Sequence, residues 1–119
     1  MATIKQNVSK LSYELRRGDT FDPTITYKDS TGAVILLSGY TAKMDIKDAI
    51  DGNVLLSLTH LAGITLTDTS PNISILIDDS ITALFTFENA VYDLELTDTL
   101  GVVKTLVEGS ILLKKDITL

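Results

Sequence analysis

The residues to weigh first for chemistry are one histidine, the hydroxyls and the carboxylates; cysteine is absent, which excludes a thiol nucleophile. A nucleophile needs a base oriented beside it. His60 is the sole histidine, and nothing in the spacing of the hydroxyls around it builds such a pair, so it reads as a turn or surface residue. Asp93 and Glu95 are two residues apart and share one face of a strand. Paired carboxylates act as acid and base in glycoside hydrolysis, but here they fill the outer face of an alternating segment. Asp48, Asp51 and Asn53, or Asp78 and Asp79, supply oxygens of the kind calcium takes from flexible loops. The first group lacks the regular acidic spacing of an EF-hand loop, and both read more simply as turn and capping residues. No glycine-rich phosphate loop is present, and there is no tryptophan to stack on a sugar. The reading is a non-enzyme with no catalytic residue, no cofactor and no metal site.

The elements that carry these residues are strands. From Ala90 the chain alternates, with Tyr92, Leu94 and Leu96 on one face and Val91, Asp93, Glu95 and Thr97 on the other. That period means a strand with one buried and one wet face. Asp98 to Gly101 is a turn, and the apolar run after it completes a β-hairpin. A lone hairpin is marginal in water, so the remaining segments must cover its apolar face. Tyr92 is placed to be a buried anchor whose hydroxyl bonds backbone.

Upstream, Leu11, Tyr13 and Leu15 alternate with polar residues, and residues 17–20 form a tight turn or bulge. Phe21, Pro23, Ile25 and Tyr27 share a face. Pro23 cannot donate to a ladder, which predicts an edge position or an irregular start. Further strands are predicted over residues 33–37, 40–46, 54–59, 64–67 and 73–77. Residues 78–80 read as the N-cap of one or two helical turns ending near Phe85, a crossover between two sheets. Strands recur about every ten residues with turn clusters between, and no long helical period appears; this indicates an all-β antiparallel sandwich of about eight short strands.

A chain of 119 residues, 45% of them apolar, is one domain with a core of its own. No apolar run is long enough for a membrane-spanning helix, and residues 1–6 show no secretory pattern. The net charge is −6 and is unevenly spread. Residues 1–17 hold Lys5, Lys10, Arg16 and Arg17 against Glu14, whereas residues 48–103 hold no Lys or Arg. An acidic body disfavours nucleic acid. Residues 1–10 read as an extended arm and residues 11–119 as the sandwich. An arm of ten residues reaches about 33 Å, enough to dock on a neighbouring copy. Ile4, Lys5, Val8, Lys10, Arg16 and Arg17 are the expected assembly contacts, and deletion of the arm is expected to leave melting nearly unchanged.

Several stretches carry a resemblance: Gly18-Asp19-Thr20-Phe21, Asp29 to Gly32, Leu37 to Ile46, Tyr92 to Leu96, and Val107 to Ile111. Together they resemble small virion proteins of tailed bacteriophages, in particular the immunoglobulin-like N-terminal module of siphophage upper baseplate proteins. The resemblance covers about residues 11–118. It implies an immunoglobulin-like sandwich, present in many copies on a virion and touching other virion proteins and copies of itself. It carries over no catalytic residue. The chain ends directly after this module, so no receptor-binding or trimerisation segment is expected. A capsid decoration protein and a carbohydrate-binding module are the alternative functions.

Overall fold

The computed structural model describes residues 2–4 and 9–115. The chain is all-β, with strands β1 (Ala2–Ile4), β2 (Ser9–Lys10), β3 (Tyr13–Arg16), β4 (Thr24–Tyr27), β5 (Thr41–Lys47), β6 (Val54–His60), β7 (Gly63–Leu66), β8 (Ile73–Ile75), β9 (Asn89–Thr97) and β10 (Val103–Lys114), and one helical turn, α1 (Asp79–Thr82). The hydrogen-bonded order is β1-β4-β8-β7-β6-β5-β9-β10-β2, with β3 also on β10. One apolar cluster draws on both ends of this path, with Ile25, Ile73 and Ile75 from one half and Leu94, Leu96 and Ile111 from the other. The sheet therefore curls over itself, and its two halves face each other as the layers of a sandwich. Helix α1 lies in the connection from β8 to β9, one of the crossovers between the halves, as predicted. Its Asp78 N-cap makes no side-chain capping bond.

The alternating strands lie where the pattern puts them. In β5, Ala42, Met44 and Ile46 are buried; in β9, Ala90, Tyr92, Leu94 and Leu96 are buried. β9 pairs antiparallel with β5 on one side and β10 on the other. In β10 the register shifts between Thr105 and Val107. That bulge lets the consecutive residues Leu106 and Val107 both face the core.

Three features depart from the expected pattern. Residues 33–37 form no strand. They keep only an isolated antiparallel bridge, Val34 with Lys28, beside which the Ile35 amide donates to the Tyr27 carbonyl. Side chains take the groups that follow, as Asn72 Nδ2 donates to the Ile35 carbonyl and Asp68 Oδ1 accepts from the Leu37 and Ser38 amides. Strand β4 starts only after Pro23 and lies between β1 and β8, so the proline marks an irregular start and not an edge. The sandwich is also mixed: β1 pairs parallel with β4, and β2 and β3 pair parallel with β10.

The N-terminal segment thus occupies both ends of the sheet path. Ala2–Ile4 lies along Ile25–Tyr27, and Ser9–Lys10 along Val107–Glu108. Between β2 and β3 the Leu11 amide donates to the Glu108 carbonyl at 3.0 Å. The Leu11 carbonyl turns inward and accepts the Tyr92 hydroxyl at 2.6 Å. This is the backbone anchor foreseen for Tyr92. Gly109 makes room for it, since a Cβ there would collide with the Leu11 carbonyl oxygen.

Candidate interaction site

The expected assembly contacts fall in different places. Ile4 pairs through its backbone register with Tyr27 in β1. Lys5 and Val8 lie outside the described residues. Lys10 is exposed and stands opposite Glu108. Arg16 is exposed opposite Lys114, and the amide of half-buried Arg17 donates to the Lys114 carbonyl at 2.8 Å. Lys114 and Lys115 are exposed as well, so this corner gathers Arg16, Arg17, Lys114 and Lys115. The linear charge pattern missed the two lysines, because only the parallel pairing of β3 with β10 brings them to the arginines.

Acidic side chains meet on the outer face of the neighbouring strands. Asp93 is in register with Asp45 on β5 and with Glu108 on β10. Like charges directly opposite in a sheet repel. Lys43 Nζ lies 3.7 Å from Asp45 Oδ2, and Ser57 Oγ donates to Asp45 Oδ1 at 2.6 Å. Lys10 closes the row beyond Glu108. Asp45, Asp93, Glu108, Lys10 and Lys47 border a shallow hollow of about 470 Å³. Partial burial, and then the charges of Asp45 and Glu108, push the Asp93 carboxyl above the usual range; Lys47 and Lys43 pull it back in part. Among the described residues no group of three or more such side chains is arranged to hold a metal.

The remaining candidates sit in turns. Asp48 Oδ1 accepts the Asn53 amide, and Asp51 takes a left-handed backbone conformation. Asp78 and Asp79 open α1. His60 ends β6, before the left-handed Leu61. The structure brings none of these together with Asp93 and Glu95 into one hollow, apart from Asp51 at the rim beside Asp93.

At the opposite end of the sheet three aspartates build the loops. Asp29 Oδ1 accepts the Thr31 and Ala33 amides, and Asp98 Oδ1 those of Leu100 and Val102. Asp68 accepts the Ser38 hydroxyl as well as two amides. Hydrogen bonds from Thr31 and Ser38, respectively, hold the Asp29 and Asp68 carboxyls below the usual range. A second hollow, of about 440 Å³, opens there between Tyr27, Tyr40, Leu36 and Val102.

No protein-family model matches the chain, and no curated protein matches it. Among solved structures, the fold is similar to the N-terminal domain of phage TP901-1 ORF48. The TM-score is 0.51 at 12% sequence identity, covering 97% of this chain and 100% of that one. At that identity the likeness is one of fold.

Proposed function

We propose that this protein is a non-enzymatic structural component of a tailed-phage virion, placed in the tail or baseplate and assembling in several copies. The observation that carries the reading is the fold: a phage domain of the same architecture matches the chain along nearly its whole length. The surface is consistent with a packing role. Its hydrogen-bonded aspartates serve loops, and its carboxylate row lies on an open sheet face instead of a closed cleft. The proposed contacts are the N-terminal segment and the sheet edges, with Lys10, Arg16 and Arg17 exposed or half-exposed along β2 and β3, and Ile4, Lys5 and Val8 as further contacts of the same segment. Exposed ion pairs contribute about 0–1 kcal/mol each, so these cations set orientation and salt sensitivity more than affinity. The proposed partners are other virion proteins and further copies, with no nucleic acid and no membrane, and no cofactor takes part.

Mass spectrometry of gradient-purified particles tests the reading. The protein should be present in multiple copies per particle and should remain after a high-salt wash. Its absence from purified particles, with abundance in the infected-cell lysate, would refute the proposal.

A further inference from the structure

The curled sheet has two seams, and they are built differently. At one seam lie the two ends of the sheet path, and the N-terminal segment supplies the strand at each: β1 covers β4, while β2 and β3 cover β10. At the other, β6 passes into β7 through a tight connection. Gly63 is needed there, since φ is +102° and a Cβ would run into the Leu58 side chain. β6 and β7 are in register only at Thr59 with Gly63 and His60 with Ile64. From Val54 to Leu58, β6 pairs with β5 on one side, and among the described residues no strand pairs with its other side.

A free edge presents unpaired amides and carbonyls, and natural proteins protect such edges with lysine, proline or a covering segment. The β6 sequence, Val-Leu-Leu-Ser-Leu-Thr-His, contains no charged residue and no proline. β5, β9 and β10, the other strands of seven residues or more, all carry charges. β6 does hold one bulge: Ile46 pairs with Leu56 and Lys47 with Val54, leaving Leu55 extra. A bulge re-aims side chains, and here Val54 and Leu55 are 52% and 40% exposed in succession. Beside them in the preceding turn Ile50 is 82% exposed.

What covers this edge must supply backbone hydrogen bonds and bring no charge conflict. From these observations we infer that the free edge of β6 pairs antiparallel with β6 of a second copy, forming a two-fold dimer through a continuous sheet. An antiparallel strand pair is self-complementary, as an isologous contact must be. Charge selects the place. Two copies of net charge −6 that met through the Asp45–Asp93–Glu108 face would oppose carboxylate to carboxylate, whereas at β6 uncharged strands meet and Val54 and Leu55 lose water. The inference deepens the proposed assembly role by naming one edge, and it stands apart from virion placement, because self-pairing is read in solution on the isolated protein.

Sedimentation equilibrium of the full chain from micromolar to about millimolar concentration, with hydrogen exchange at both ends of the range, tests it. The mass should rise from monomer to dimer, and amides within Val54–Leu58 should exchange more slowly at the high concentration. Val54→Lys and Leu55→Lys, both at exposed positions, should abolish the dimer and the added protection while leaving the melting temperature nearly unchanged. A wild-type chain that stays monomeric throughout, as it would if a foreign strand were the natural occupant, overturns the inference. So do lysine variants that dimerise like wild type.

Discussion

The Tyr92 hydroxyl, on β9, donates to the Leu11 carbonyl at 2.6 Å across 81 positions of sequence. It ties the first residues of the chain to the centre of the hairpin that ends it. Burial, and secondarily the nearby Tyr13, push the Tyr92 phenol well above its usual range, so it stays a donor at any ordinary pH. Tyr92→Phe removes the donor and leaves a part-buried carbonyl unpaired, at a cost of about 1–3 kcal/mol. Gly109→Ala drives a Cβ into that same carbonyl, and overpacking of this kind costs about 1–3 kcal/mol. Urea denaturation checks both. The double variant should lose less than the sum of the single losses, because both act on one contact.

Leu94 is fully buried in the middle of β9 while Glu95 faces outward and is half-exposed. Leu94→Ala should cost about 2–5 kcal/mol through lost burial and a residual cavity. Glu95→Ala should stay within about 0.5 kcal/mol. Chemical denaturation of the two variants checks the register directly, since a slip of one residue would exchange the two costs.

Asp93 is held between Asp45 and Glu108. Its folded carboxyl titrates above the unfolded value, so the native form binds more protons than the unfolded form in that window, and stability falls as pH rises through it. Asp93→Asn should therefore stabilise the protein at pH 7, by a few tenths to about 1 kcal/mol after solvent screening. The gain should vanish near pH 3, where the carboxyl is protonated in both states. Melting temperatures of both proteins across that range check the sign. Asp29 and Asp68, whose folded carboxyls titrate low, act in the opposite direction: their contribution is present at neutral pH and is lost on acidification.

Asn72 is fully buried. Its Oδ1 accepts the Tyr27 amide at 2.7 Å, and its Nδ2 donates to the Tyr27 and Ile35 carbonyls at 3.1 and 2.9 Å. It clamps the end of β4 to Ile35 in the segment that folds back on it. Asn72→Ala should cost on the order of 3 kcal/mol, since it strands several buried backbone groups, and exchange of the Tyr27 amide should accelerate.

That asparagine also marks where reading from sequence runs out. Strands β5 and β9 were legible because strict alternation reports a buried face from local residues alone. Residues 33–37 have the same apolar look, yet Ile35 and Leu37 bond to side chains more than thirty positions away, and no local pattern encodes such partners. Asn72 itself looks like an ordinary turn residue beside Pro71. The parallel pairing of β1, β2 and β3 was hidden for the same reason. Its partners lie at the far end of the chain or in another hairpin, and Gly109 announces the Leu11 approach only once both are placed. Chemistry read from residue types was legible in part. Asp93 stands beside Asp45 and Glu108, whereas Glu95, two positions on along the same face, stands opposite Lys43 and Thr105.

The pairing of β1 with β4 and of β2 with β10 leads to a different expectation for the truncation. Deleting residues 1–10 uncovers the edge of β4 and part of the edge of β10, and the isolated domain should melt at a lower temperature than the full chain. Differential scanning calorimetry of the two proteins checks this; equal melting temperatures would mean that these pairings contribute nothing to stability.

The place proposed for this protein is a structural one in the virion tail. Immunogold labelling of intact purified particles, with antibody raised against the full chain and viewed by electron microscopy, tests it most directly. The expected result is several gold particles clustered at the tail or its distal end on most virions. Gold distributed over the capsid shell, or particles left unlabelled, would contradict it.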